Sequence, residues 1–370
     1  MCLSTLLKKG STFAYANFDD ERLKNLKGED LNEVLEILYK LYGKFSYLFL
    51  DEIQNVEDWH LFVNRLLRKN IHVVITGSNS KLLSSELATH LTGRNVQIEL
   101  FPFSFSEFCD YLKVDIKKIN TEARALRRAT FDKYLKQGGF PELLAGEDAK
   151  LYISALVDGI LHHDIQDRFD IKYVGAFRQL SNHLLNTVPV KTNLKDLQQL
   201  FNISSAHTVK NYISYLKQTF LLVGLHKYST KSKLRIRDEK LYAVDIALID
   251  KRSDCLVGEN LGWRLETIVY LELLRRYKPR QMDIFYFNET AGECDFLVCE
   301  GNKVVELFQV SYDISNPKTK RRELSGLNLA SKRTGCNKMT LITYDTRGEE
   351  SVASGTVQVV AAFEWLLHLV

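Results

Sequence analysis

The sequence predicts a multidomain α/β protein that opens on a parallel sheet. Three observations lead there. The chain has 370 residues, more than one ordinary domain holds. Hydrophobic residues make up 45% and charged residues 26%, a globular composition with no low-complexity portion. Near the N-terminus, short β-rich runs alternate with segments of helical period, the pattern of a parallel sheet covered on both faces.

The β-rich runs are Phe13 to Phe18, Tyr47 to Leu50, His72 to Thr76 and Val96 to Leu100. Between them, Asn32 to Tyr42 and Trp59 to Arg68 carry apolar residues three and four apart, as helices do. No apolar run reaches the roughly 18 residues of a membrane span, so no membrane partner is expected. Met1 to Gly10 shows no small-residue cleavage site, which argues against a signal peptide. The six cysteines (Cys2, Cys109, Cys255, Cys294, Cys299, Cys336) have no metal-ligand spacing, and reduced thiols in a cytoplasmic protein are expected. A formal net charge of +4 excludes little, and where the basic residues cluster matters more.

The second strand ends Leu48-Phe49-Leu50-Asp51-Glu52. Apolar residues followed by two carboxylates at a strand's carboxyl end form the Walker B pattern. Asp51 would hold the water shell of Mg²⁺, and Glu52 would polarise the attacking water as general base. A buried strand running into an acidic turn gives the same letters, but the next strand changes the odds. Val73 to Ser80 is another buried strand ending in small polar residues, and there Asn79 is a candidate sensor of the γ-phosphate. Leu91-Thr92-Gly93-Arg94 then places Arg94 where it would reach a phosphate, its own or a neighbour's. As a finger acting in trans it implies self-association; an internal salt bridge explains an arginine equally well.

From Tyr47 to Phe108 the chain resembles a prokaryotic family of AAA-type P-loop ATPases. The matching elements are Leu50-Asp51-Glu52-Ile53-Gln54, Ile75 to Ser80, Leu91 to Arg94 and Phe101-Pro102-Phe103-Ser104-Phe105-Ser106-Glu107-Phe108. The resemblance implies ATP and Mg²⁺ as cofactors, yet no G-x-x-x-x-G-K-[ST] loop occurs in the chain. The family ends that loop Gly-Lys-Ser-Thr-Leu-Leu, where this chain reads Cys2-Leu3-Ser4-Thr5-Leu6-Leu7. Ser4 and Thr5 are the expected remnant of the cofactor-binding loop, with Leu3 at the lysine position. The strand that precedes the loop in the family lies between the last two strands named above, so the parallel P-loop-type sheet is expected to be incomplete. Each backbone group left buried without a partner there would cost about 1–3 kcal/mol. An internal or misassigned start and a decayed gene copy both explain this, and ATP hydrolysis by the chain as given is expected to be poor.

Ile119 to Phe169 is helical in period, interrupted at Gln137-Gly138-Gly139-Phe140-Pro141, and looks like the family's helical lid. Within it, Asp164 and Arg168 read as an ordinary surface pair. His162 and His163, as neighbours on a helix, are expected to point apart, which disfavours a metal site. Leu194 to Phe201, a polar turn and Ala206 to Phe220 form a helix-turn-helix pattern whose second helix shows Lys210, Asn211, Tyr212, Ser214, Tyr215 and Lys217. Beyond it, Lys227, Lys231, Lys233, Arg235 and Arg237 alternate on a candidate β-hairpin wing, the electrostatic footprint of duplex DNA binding. Packing or protein contact is the competing use of such a unit.

In the last third, helix Leu261 to Arg276 carries Glu266, and strands follow at Asp283 to Asn288, Asp295 to Cys299 and Lys303 to Tyr312, with a last helix and strand from Leu341 onward. This resembles the PD-(D/E)XK nuclease architecture, which the same ATPases carry at their C-terminus. Such nucleases need an Asp, a second acid and a Lys around Mg²⁺. Asp295 fits the first position, but Gln309 stands for the second acid and Ser311 for the lysine. Moving the register to Glu306 recovers an acid and still no lysine, while Lys318, Lys320, Arg321 and Arg322 lie downstream. An inert nuclease-like domain retaining Glu266, Asp295 and Gln309 is expected.

The resulting organisation is an ATPase core at 1–116 lacking its first strand and phosphate loop, a helical lid at 117–172, a winged helix-turn-helix at 173–252 and a nuclease-like domain at 253–370. An AAA-type ATPase relative that binds nucleic acid or protein through its C-terminal domains is the leading reading. An ATP-gated, metal-dependent DNA nuclease and a non-enzymatic winged-helix DNA binder are its rivals.

Overall fold

A computed structural model describes residues 12–23, 26–77, 95–229, 239–252 and 260–369. They divide into two compact units, Met1–Glu99 and Leu100–Val370.

The first unit holds a parallel three-stranded sheet in the order β1 (Phe13–Asn17), β2 (Tyr47–Asp51), β3 (His72–Ile75). Leu48, Phe49 and Leu50 are all buried, as a central parallel strand requires, because both of its faces are covered. Helix α1 (Leu31–Tyr42) turns Leu31, Leu35 and Leu38 inward. Helix α2 (Trp59–Arg68) contributes Trp59, Phe62, Val63 and Leu66, the three-and-four spacing of one buried face.

The fourth expected strand does not form. Residues 95–100 are irregular, and Val96, Ile98 and Leu100 are 89%, 78% and 89% exposed. The apolar alternation there is real, but a strand exists only against another strand's N–H and C=O groups. Among the described residues β3 is the edge of the sheet and offers this segment no pairing.

In the second unit, α3 (Phe105–Tyr111) starts at a capping box between Ser104 and Glu107, and α4 (Thr121–Gln137) follows. Helix α5 (Ala149–Gly159) runs directly into a π-helix at Ile160–Gln166. Next come α6 (Val174–Thr187), β4 (Val190–Lys191), α7 (Leu194–Leu200), α8 (Ala206–Gln218), β5 (Leu222–Lys227) and β6 (Glu239–Ala243). The long helix α9 (Leu261–Tyr277) precedes β7 (Asp283–Glu289), β8 (Gly292–Glu300) and β9 (Lys303–Ser311), then α10 (Pro317–Thr334) and β10 (Met339–Thr343). From Leu341 onward the chain builds more than the helix and strand expected, with β11 (Gly348–Val352), β12 (Gly355–Ala361) and α11 (Ala362–Leu366).

One sheet runs through this unit in the order β11-β12-β10-β9-β8-β7-β5-β6-β4. The parallel pairing of β5 with β7, His226 opposite Phe285 and Lys227 opposite Tyr286, joins the strands after α8 to those after α9. Helix α9 is buried along most of its length, with Leu265, Ile268, Val269, Tyr270 and Leu273 in the core.

Candidate functional site

At the carboxyl end of β2, Asp51 accepts a 2.8 Å hydrogen bond from the Tyr15 hydroxyl of β1 and another from the Thr76 hydroxyl just past β3. The parallel register that sets Asn17 opposite Asp51, and Leu50 opposite Ile75, brings these three strand ends to one level. The hydrogen bond to Asp51, then burial and the carboxylate's charge, raise the Tyr15 phenol above its ordinary value. Glu52 follows with φ 53°, in the left-handed region that costs a non-glycine residue about 1–2 kcal/mol. Its N–H donates to the Thr76 carbonyl at 3.2 Å, and its carboxylate accepts from the Gln54 amide. Strained backbone next to an acid pair at the strand ends of an α/β sheet is a common device of functional sites.

Asp51 and Glu52 therefore lie together, as the acid half of a Mg²⁺–nucleotide site requires. Both oxygens of Asp51 accept from protein hydroxyls, Oδ2 from Tyr15 and Oδ1 from Thr76. Ser4, Thr5, Asn79 and Arg94 lie outside the described residues. In sequence, Leu3 rather than a lysine precedes Ser4 and Thr5, so the segment does not fit the phosphate half. Thr76 and Tyr15 were not legible as site residues, because only the register reveals that they meet Asp51.

The helix-turn-helix candidate is α7 and α8 with the turn between them, and α8 begins at Ser205, whose hydroxyl accepts from the Thr208 N–H at 3.1 Å. Lys210 is exposed, with His207 and Asn211 on the same face and Ser214 one turn on. Other residues expected on that face turn inward. Tyr212 is buried, Tyr215 stacks on Phe169 with centroids 4.0 Å apart, and Lys217 is ion-paired with Glu239. Apolar residues at positions 209, 212, 213 and 216 set the buried stripe, and the neighbouring rings and charges follow it. Lys231, Lys233, Arg235 and Arg237 lie outside the described residues, between β5 and β6.

The strands after α9 bring Glu266, Asp295 and Gln309 into one charged cluster, and a lysine comes with them. Lys240 of β6 places its Nζ 2.6 Å from Glu266 Oε1, and the Tyr242 hydroxyl donates to the same oxygen at 2.7 Å. Glu293 lies 3.9 Å from that ammonium and 2.5 Å from the Lys191 Nζ. Asp295 Oδ2 accepts from the Val310 N–H at 2.9 Å, while the Gln309 side chain accepts from the Asp295 N–H and donates to Glu323 at 2.6 Å. Burial, and then the charge of Glu266, push the Asp295 carboxyl well above the usual carboxylate range. Burial also works against the Lys240 ammonium, but Glu266, Asp295 and Glu293 outweigh it and raise its pKa.

The shifted register at Glu306 is not realised, since Glu306 instead accepts from the Tyr277 hydroxyl at 2.8 Å and pairs with Lys338 at 3.0 Å. Of the downstream cations, Lys320 pairs with Glu350, and Arg322 pairs with Glu323, the carboxylate that also accepts from Gln309. The cation that enters the cluster is Lys240, which sequence reasoning missed because it stands on a different strand with no motif around it.

Residues 1–109 match a family model described as an AAA domain, and residues 128–254 match one described as a domain of unknown function, DUF8612. An uncharacterized protein of Methanocaldococcus jannaschii, MJ1544, is 34% identical over 369 residues, covering 96% of this chain and 82% of that protein. An uncharacterized protein of Haemophilus influenzae is 28% identical over 308 residues, 81% of this chain and 74% of its own. Among solved structures, the replication initiator DnaA bound to AMPPCP and single-stranded DNA aligns with 58% of this chain and 75% of its own, at 19% identity and a TM-score of 0.23. Among the described residues, no helix is long and apolar enough to cross a membrane.

Proposed function

The chain belongs to the family of the Methanocaldococcus jannaschii protein MJ1544, with an AAA-type segment at its start, and we propose that it is an AAA-type ATPase relative whose second unit binds duplex DNA. The observation that carries this reading is the capped helix α8, which presents His207, Lys210 and Asn211 to solvent at the head of a sheet whose β5–β6 connection is rich in lysine and arginine. Such a polar helix and a lysine- and arginine-rich connection would give base edges and phosphates different partners. The helix would lie in the major groove, and Lys231, Lys233, Arg235 and Arg237 would neutralise backbone phosphates. In this reading residues 173–252 are a winged helix-turn-helix and residues 253–370 a nuclease-like fold.

That nuclease-like fold is inert in our reading. Gln309 supplies an amide where a second acid would hold a metal, and the Lys240 ammonium already neutralises Glu266 and Glu293. An ATP-gated nuclease would need those carboxylates free for a cation. In the first unit, Asp51 and Glu52 would serve Mg²⁺ and nucleotide once a lysine-bearing phosphate loop faces them. Without that loop, the chain is expected to turn over ATP poorly.

The wing is tested by fluorescence anisotropy on labelled duplex DNA across a salt series. The triple variant Lys231→Ala, Lys233→Ala, Arg235→Ala is expected to lose roughly 100-fold in affinity at low salt, with a salt slope smaller by about three. Binding equal to that of the unsubstituted chain would rule out the wing as a DNA contact.

A further inference from the structure

Neighbouring residues on an α-helix project about 100° apart, yet His162 and His163 stack face to face, with ring centroids 4.8 Å apart and 3° between their planes. Both stand within a π-helix at Ile160–Gln166. Its wide turn is held at its end by the Asp167 N–H donating to the His162 carbonyl at 3.0 Å, a five-residue step. That step also carries the Asp167 carboxylate round to the histidines. His162 Nδ1 lies 3.5 Å from Asp167 Oδ1, and His163 Nδ1 lies 3.2 Å from Asp167 Oδ2.

We propose that His162, His163 and Asp167 form a binding site for a borderline divalent cation of the Zn²⁺ class. Two imidazole nitrogens and a carboxylate are the donor set that suits such ions, and three protein ligands leave a fourth position for water. A tetrahedral ion with bonds near 2.1 Å needs its donors about 3.4 Å apart. His162 Nδ1 and His163 Nδ1 lie 3.5 and 3.2 Å from different oxygens of Asp167, near that edge length, and one ligand atom from each of the three residues falls within 4.8 Å of the others. All three side chains are more than half exposed, so an ion reaches them without a conformational change. The same exposure leaves the imidazoles no buried partner for their outer nitrogens, which sets a modest affinity. An ion there would tie two residues inside the π-helix to Asp167, the residue that caps its end. The site thereby stabilises the segment that ends the α5 helix.

The test is calorimetric titration of the untagged, chelator-stripped full chain with ZnCl₂ near neutral pH. One bound ion is expected, together with a rise in Tm of about 2–4 °C at saturating Zn²⁺. The double variant His162→Ala, His163→Ala should bind at least about 100-fold more weakly, and Asp167→Asn about 10-fold more weakly. Since these residues are exposed, both variants should keep the metal-free Tm. Equal binding by the double variant would overturn the proposal. So would a thiolate charge-transfer band on Co²⁺ loading, which would show that a cysteine holds the ion.

Discussion

Replacing Lys240 with methionine is expected to destabilise the second unit by about 3–5 kcal/mol, the cost of leaving a buried charge without its counter-ion. Lys240 is only 8% exposed, and its Nζ is the cation nearest to Glu266, with Glu293 and Asp295 beside it. Methionine fills a similar volume, so packing changes little and the loss reads out charge. Urea unfolding followed by circular dichroism measures it. The double variant Lys240→Met, Glu266→Gln should recover much of the loss, since it removes the orphaned carboxylate along with the ammonium.

The pH dependence has a definite sign. Asp295 has a folded pKa raised above its unfolded value, so the folded state holds the extra proton. Its stabilising contribution is present at low pH and is lost as pH rises through the folded pKa. Removing Lys240 raises that pKa further, so the Lys240→Met loss should shrink as the pH is lowered towards the unfolded carboxylate range. A loss of under about 1 kcal/mol at neutral pH would mean that the pair is no more than a surface salt bridge. Neither protein is expected to cut duplex DNA in Mg²⁺.

Gly326→Ala is the second large effect, and two principles predict it with opposite sign. Gly326 lies inside α10, where helix propensity alone would reward alanine by about 1 kcal/mol. An added Cβ, however, would stand 2.0 Å from the Glu293 carbonyl oxygen and 3.1 Å from its carbon, both backbone atoms of β8. Backbone cannot swing aside, so α10 must lift off the sheet, and overpacking of this kind costs about 1–3 kcal/mol or more. Close packing wins, and a net loss of about 2 kcal/mol or more in urea unfolding is expected. The same shift would move Glu293, which bridges Lys191 and Lys240. Gly175 is the control: nothing lies within 4 Å of its added Cβ in α6, so Gly175→Ala should be neutral or slightly stabilising.

The regular elements were legible wherever a single period governed them. Trp59, Phe62, Val63 and Leu66 announce α2 by spacing alone, and four apolar residues before Asp51 announce a buried strand end. Periodicity failed where a partner or an unusual turn decides. Val96, Ile98 and Leu100 alternate like a strand but pair with no strand among the described residues. His162 and His163, expected to point apart, stack face to face within a π-helix. Lys240, Thr76 and Tyr15 carry no local signal, because Thr76 and Tyr15 meet Asp51 through strand register and Lys240 meets Glu266 where β6 packs on helix α9. Tyr215 and Lys217 looked like recognition residues by type, whereas the buried stripe of α8 assigns them to Phe169 and Glu239.

The central claim is that Asp51 and Glu52 are the acid half of a nucleotide site whose phosphate half needs a lysine-bearing loop. Calorimetric titration of Mg-ATP tests it most directly, on this chain and on one with a strand and a G-x-x-x-x-G-K loop built ahead of Ser4. The extended chain should bind while this chain does not, and Asp51→Asn in the extended chain should weaken binding at least about tenfold, which is about 1.4 kcal/mol. Equal binding by the Asp51→Asn form, or tight binding by this chain as it stands, would contradict the account.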